Sequence, residues 1–286
     1  MRSIWTGWDS SVWDLTNADT GVIMVPGVRG WSMPPIEQYR SESPSVAGSQ
    51  YRGSRVRNRD DVFWPLFLYS DGTDMDWITL DRAFWATMHP DKPGTWSMVR
   101  PDGTARSIDL RYESEDPGGD LDPTIIGWNL YAIHLTAEQP FWREDPIVRE
   151  FRPTVPVPMF SGPGIVQYNS ASQLARASIN NPGDVPGWVV WTLAGPFESA
   201  SVGVGGKSIS VPFPLGAGEF LTIWTAPENL GETRDGLGRD RTDDLGAAAF
   251  VPVQPGSSLP LTLSLISPGV GAYIEASLTP YYYRAW

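Results

Sequence analysis

Short apolar stretches with a period of two, fenced by Gly and Pro, fill the second half of this chain and restrict its fold more than any other feature. Ile209, Val211, Phe213 and Leu215 form one series, Leu221 and Ile223 a second, Leu261, Leu263 and Leu265 a third, and Ile274, Ala276 and Leu278 a fourth. Successive side chains of a strand point to opposite faces, so such alternation buries one face and wets the other. Short alternating strands divided by turn residues predict an antiparallel sandwich or barrel. The expected strands are 164–168, 175–180, 187–193, 201–204, 207–213, 219–225, 248–253, 259–265 and 272–278, with a charged, Gly-containing loop over 232–246.

The 29 Gly and 27 Pro among 286 residues follow no collagen period and form no low-complexity tract, so they belong to tight turns. With 41% hydrophobic residues and 14 Trp, each half can bury its own core. The first half reads as β with one helix. Strands are expected near 50–59, 62–69 and 126–137. The helix starts at Thr73 or Asp74 as N-cap, carries Trp77, Leu80, Phe84, Trp85 and Met88 on one stripe, and stops at His89-Pro90. Residues 95–99 and 107–112 pair across Arg100-Pro101-Asp102-Gly103, and 116–123 form a polar loop. Prolines at 153, 156 and 158 make a stiff bridge, which places the boundary between domains 1–152 and 153–286. The fold class is mainly β: an N-terminal α+β domain, a barrel-like sheet with one helix, then a C-terminal antiparallel β-sandwich.

Net charge is −12, and no basic stripe offers the counterion release that nucleic-acid binding needs. The nearest candidate is Arg52, Arg55, Arg57 and Arg59, followed at once by Asp60 and Asp61. Spacing sets Arg55, Arg57 and Arg59 on one strand face, which is either solvated or a polar contact between subunits. Zero Cys excludes disulfides and thiolate metal sites. The N-terminus shows no secretory h-region, and no stretch approaches the about 18 apolar residues of a membrane span. Neither nucleic acid nor membrane is an expected partner.

No constellation of catalytic residues emerges. Gly206-Lys207-Ser208 lacks the upstream Gly of a phosphate loop, since Ser201 stands there, and an alternating strand follows where a helix is required. His89 and His134 are far apart, with no second ligand at metal spacing. Glu198, Glu219 and Glu275 are possible members of a carboxylate pair of the glycosidase kind. Asp235, Asp240, Asp243 and Asp244 share a loop that is either a solvated acidic loop or a Ca²⁺ site, although Arg239 and Arg241 interrupt the calcium register. Trp188, Trp191, Trp224, Tyr281, Tyr283 and Trp286 are candidate glycan or interface aromatics, with packing in the core as the competing reading for Trp188 and Tyr282. The run 281–286 breaks the alternation and is expected to dock on the first domain or on a neighbour.

Read together, several segments are similar to a known family. In the second half these are Asn181-Pro182-Gly183-Asp184-Val185-Pro186-Gly187-Trp188, Trp191-Thr192-Leu193-Ala194-Gly195-Pro196, Ser201-Val202-Gly203-Val204-Gly205-Gly206, Leu215-Gly216-Ala217-Gly218-Glu219 and Glu275-Ala276-Ser277-Leu278-Thr279-Pro280 through Arg284-Ala285-Trp286. In the first half they are Pro26-Gly27-Val28-Arg29-Gly30, Arg52-Gly53, Asp76-Trp77 with Leu80, Pro93-Gly94-Thr95, Arg100-Pro101-Asp102-Gly103-Thr104 and Gln139-Pro140-Phe141-Trp142. In order and spacing they resemble siphophage distal tail proteins, the Dit-like minor tail proteins of actinobacterial phages. The resemblance implies a structural, non-enzymatic virion protein without cofactor or metal, assembled in the host cytoplasm. It implies a homo-hexameric ring in the tail tip, with the N-terminal domains stacked on the tail tube protein and galectin-like C-terminal domains projecting outward. The ring would join the tube to the tail-associated hub protein and to receptor-binding proteins. The alternative is a carbohydrate-binding module that adheres to a host cell-wall glycan through its sandwich, and a glycoside hydrolase has the least support.

Overall fold

In the computed structural model, the described residues are 1–116, 122–153, 177–229 and 231–286. They divide into two compact units, one formed by Met1–Glu144 with Tyr282–Trp286 and the other by Asp145–Tyr281.

The first unit holds β1 (Arg2–Thr6), β2 (Val12–Asp14), β3 (Val22–Met24), β4 (Ile36–Ser43), β5 (Val46–Val56), β6 (Arg59–Tyr69), α1 (Asp74–Trp85), β7 (Gly94–Val99), β8 (Ala105–Asp116), α2 (Pro123–Ile126), β9 (Trp128–Ala137) and β10 (Trp142–Arg143). Its barrel-like sheet runs β2-β1-β7-β8-β9-β6-β3 with antiparallel neighbours, and β10 adds to β8. The β7–β8 hairpin turns where expected: Arg100 N donates to Thr104 O at 2.8 Å, and Asp102 accepts from Thr104 N and Oγ1.

Helix α1 opens on a capping box in which Thr73 and Asp76 satisfy each other's amides. It buries Trp77 and Phe84 and ends one turn before the expected stop. There the Thr87 hydroxyl accepts from Trp5 Nε1 at 2.8 Å and donates to Phe84 O at 2.7 Å, pulling the chain out of the helix. The start of the strand expected at 126–137 is instead the short helix α2, with Asp122 capping Thr124 N. Most of the expected loop at 116–123 lies outside the described residues.

Tryptophans fill this core. Trp5, Trp64, Trp96 and Trp142 form a file with ring centroids 5.2, 5.1 and 5.0 Å apart, tilted or edge-on as their quadrupoles favour. Trp96 Nε1 donates to Ser3 Oγ at 2.7 Å and Trp142 Nε1 to Gly30 O at 3.3 Å, whereas Trp64 Nε1 is buried with no partner among the described residues.

The second unit contains β11 (Ile147–Phe151), β12 (Ser178–Asn180), β13 (Val189–Ala194), β14 (Ser199–Val204), β15 (Lys207–Val211), β16 (Phe220–Trp224), β17 (Thr233–Asp235), β18 (Ser258–Ile266) and β19 (Tyr273–Leu278). A five-stranded sheet, β11-β19-β13-β16-β17, and a four-stranded sheet, β12-β18-β14-β15, share one core that includes Trp191, Leu193, Val202, Ile209, Ile223 and Ile274. The alternation behind the expected strands is visible in this burial. In the Gly205-Gly206 turn both residues have positive φ, 60° and 79°, joining Val204 to Lys207 as a type I′ hairpin rather than a phosphate loop.

Three expectations change. Residues 248–253 make only isolated bridges, Ala248 to Ile209 and Val253 to Gly187, because Pro252 has no amide to continue a ladder. Within the expected loop 232–246, β17 pairs with β16. Residues 147–151, placed before the expected domain boundary, form β11, which pairs with β19 in the second unit, and the last five residues lie in the first. The expected strand 164–168, part of 175–180 and the proline bridge beyond 153 lie outside the described residues.

Eleven of the fourteen tryptophans lie in the first unit, so intrinsic fluorescence reports mainly on it. Trp96→Ala removes the ring at the centre of the file and is expected to destabilise that unit by about 3–5 kcal/mol. The check is the urea midpoint followed by fluorescence.

Candidate assembly surface

The candidate surfaces lie on the first unit, and the first of them is a hairpin. Strands β4 and β5, 8 and 11 residues long, pair only with each other among the described residues. At about 3.3 Å per residue, the longer strand reaches roughly 36 Å. Register shifts at Tyr39/Arg40 and Glu42/Ser43 twist it. Its side chains are exposed or half-buried, including Tyr39 and Tyr51 at 44% and 60% exposure. Local polar pairs line it: Arg55 Nε to Glu37 Oε2 at 2.7 Å and Arg52 Nε to Ser41 Oγ at 2.8 Å. The Arg55 hydrogen bond holds the Glu37 carboxyl below its ordinary value.

A second surface is the outer face of β6 and β9. Their register sets Tyr69 beside Trp128, Phe67 beside Leu130 and Phe63 beside His134. Phe67 stacks with Tyr69 at 5.5 Å and leans on Trp128 at 5.6 Å. Trp128 and Leu130 are 41% and 48% exposed. The inner side chains of the same strands, Trp64, Leu66, Leu68, Ile133 and Leu135, are fully buried. Acidic Asp116 pairs in register with Ala132 at the rim.

Beneath these surfaces, the C-terminal segment is built into the first unit. The chain re-enters it at the two-residue strand Tyr281–Tyr282, which pairs with β10. Arg59 is fully buried, and its guanidinium gathers three backbone carbonyls: Ser32 O at 2.6 Å, Pro140 O at 2.8 Å and Tyr283 O at 2.8 Å. Burial pushes its pKa down, opposed by Asp61 at 3.8 Å. Ala285 is buried and donates its amide to Trp31 O, and Trp286 packs edge-on against Trp31. Glu144 accepts from the Tyr282 hydroxyl at 2.9 Å, from Arg106 Nε at 3.0 Å and from Arg100. Burial raises the Glu144 carboxyl, but these three partners outweigh it and hold the carboxyl below its ordinary value. Burial and Glu144 together push the Tyr282 phenol up to about 12.

The sequence-derived candidates separate on this framework. Arg55 lies on the hairpin, Arg57 pairs with Asp60 at 3.1 Å beyond its end, and Arg59 is sealed in the core. The three therefore share no outward face. Trp191 is 1% exposed in the sandwich core, which removes it from any surface role, while Trp188 and Trp224 are half-buried. Tyr281 lends its carbonyl to Asp184 N, and Tyr283 packs its ring against Phe141. His89 and His134 rest against Trp8 and Phe63 respectively. Glu198 accepts from Ser267 and Glu219 from the Gly216 amide, and Glu275 lies within β19. In the 232–246 loop, Asp235 accepts from Arg239 and Leu237, Asp240 from Thr242 N, and Asp244 pairs with Arg241. Among the described residues no group of three His, Cys, Asp or Glu is placed to hold a metal ion, and no helix is long and apolar enough to cross a membrane. Sequence reasoning missed the Phe67, Tyr69, Trp128 and Leu130 face. Its one signal was that both faces of 62–69 are apolar, which a half-wet strand does not need.

No family model matches the chain. A curated relative, the minor tail protein Gp27 of Mycobacterium phage D29, is 28% identical over 136 residues, 46% of this chain and 40% of that protein. The match thus spans less than half of the relative. Two solved structures share the fold across both units. One is the SPP1 Dit protein, described as a paradigm of the hub adsorption apparatus in phages infecting Gram-positive hosts, with TM-score 0.66, 14% identity and 98% of each chain covered. The other is the phage P2 baseplate in its activated conformation with Ca, with TM-score 0.58, 13% identity and 98% and 97% covered. In fold the chain is Dit-like, mainly β with a barrel-like first sheet.

The contribution of Glu144 has a definite sign. Its native pKa lies below the unfolded value, so its stabilisation is complete above the ordinary carboxylate range and is lost as pH falls through the native value. The fluorescence-monitored melting temperature is expected to fall below about pH 5, and Glu144→Gln is expected to flatten that dependence while lowering stability at neutral pH. Thermal melts across pH test both.

Proposed function

We propose that this chain is a structural subunit of a phage tail tip, a distal tail protein whose copies close into a hexameric ring. The observation that carries the assembly reading is the β4–β5 hairpin. A lone two-stranded ribbon in water is marginally stable at best, and both of its edges offer unpaired N–H and C=O groups. The unit that bears it also exposes an aromatic face on β6 and β9. Hairpin and face are different patches, so their contact is heterologous, and such contacts build rings when the rotation closes. Likeness to hub and baseplate proteins over 98% of the chain supports the setting.

In this reading the first unit forms the ring and docks on the tail tube protein. The second faces the tail-associated hub and receptor-binding components. The role is non-enzymatic and resides in the virion tail, after assembly in the host cytoplasm. The carboxylates support this, because those held by arginines or by their own loops are not poised as an acid and base.

Analytical ultracentrifugation tests the reading. The full chain is expected to sediment as a closed oligomer of the 31.5 kDa subunit. Leu130→Asp and Phe67→Glu, on the outer face, are expected to yield folded monomers with near-unchanged melting. A wild type that stays monomeric at high concentration, or face variants that assemble normally, would contradict it.

A further inference from the structure

We propose that the second unit binds one neutral pyranose ring in the cleft between the turn at 215–219 and the loop at 236–241. This goes beyond ring assembly and does not depend on it. The cleft has a volume of about 260 Å³, just below the roughly 300–1,000 Å³ of pockets that take drug-sized ligands, which suits a single ring. One wall is Phe220, 45% exposed, whose ring lies flush against Gly236, where an added Cβ would come within 2.8 Å. Leu237 stands at the rim, 80% exposed. An open aromatic face of this kind stacks on the C–H face of a sugar.

Two polar side chains flank it, each oriented by one bond. Glu219 Oε2 accepts from the Gly216 amide at 2.7 Å, and Arg239 Nε donates to Asp235 Oδ2 at 2.7 Å. Among the described residues, Glu219 Oε1 and both Arg239 Nη groups make no hydrogen bond. A carboxylate oxygen that accepts and a guanidinium that donates are the complement of vicinal hydroxyls. The loop is also preorganised, because Asp235 accepts from the amides of Leu237 and Arg239, both at 3.0 Å. Balanced local charge and a chain of net charge −12 favour a neutral sugar over an anionic one.

Saturation-transfer NMR on the full chain supplies the test. The probes are methyl galactopyranoside, methyl mannopyranoside, methyl rhamnopyranoside and N-acetylglucosamine, with N-acetylneuraminic acid as the anionic comparison. At least one neutral probe is expected to bind at millimolar concentration. Phe220→Ala is expected to weaken it by about tenfold, the worth of one lost aromatic face. Leu237→Glu, at a site outside the core, is expected to weaken it too, and Trp8→Phe in the first unit to leave it unchanged. Failure of every neutral probe on folded protein, preference for the anionic probe, or binding that survives both cleft variants overturns the proposal. Ring formation is read separately by mass.

Discussion

The unpaired edges of the β4–β5 hairpin are the constraint on which the rest of the account depends. Among the described residues, every other long strand has a neighbour on at least one further side or an apolar face sealed in a core. This ribbon has neither, and its internal ion pair is exposed, where such pairs contribute about 0–1 kcal/mol. A ribbon of this length without a buried face has little within its own segment to stabilise it. An exposed aromatic surface is present on the same unit, and in the proposed ring identical copies would cover both.

For such an arm to bind, the unit behind it must be rigid, and the packing supplies that rigidity. The tryptophan file holds β1, β6, β7 and β10 together through rings rather than through backbone pairing alone. Arg59 opens β6 directly after the hairpin and fixes three loops through their carbonyls, one of them contributed by Tyr283. A buried guanidinium with carbonyl partners is costly to disturb, because removing any one of them strands a charge in a dry site. The base of the hairpin is thereby tied to the segment 282–286, which is remote in sequence.

Much of the architecture was legible. The period-two series at 209–215, 261–265 and 274–278 mark strands whose alternate residues face the sandwich core, and the stripe on α1 buries Trp77 and Phe84. What escaped has physical causes. Arg59 follows the same i, i+2 spacing as Arg55 and Arg57, and only tertiary carbonyls distinguish a buried arginine from a solvated one. Trp191 alternates like any core residue, so the interface reading came from its residue type rather than its position. Strand β4 carries polar residues on both faces, Ile36-Glu37-Gln38-Tyr39-Arg40-Ser41-Glu42-Ser43, and has no amphipathic period to read. The cleft beside β16 joins Phe220 to Leu237 and Arg239 through the β16–β17 pairing, which no local pattern announces.

Because the chain has no cysteine, the central contact is open to direct trapping. One cysteine is placed on the hairpin at Tyr51 and one on the outer face at Leu130, and the purified double variant is treated with a short bis-maleimide cross-linker. The account predicts a covalent ladder that stops at six chains, with at most dimers from either single variant. Cross-linking confined within one chain, or no ladder at all from protein that is folded and concentrated, would contradict it.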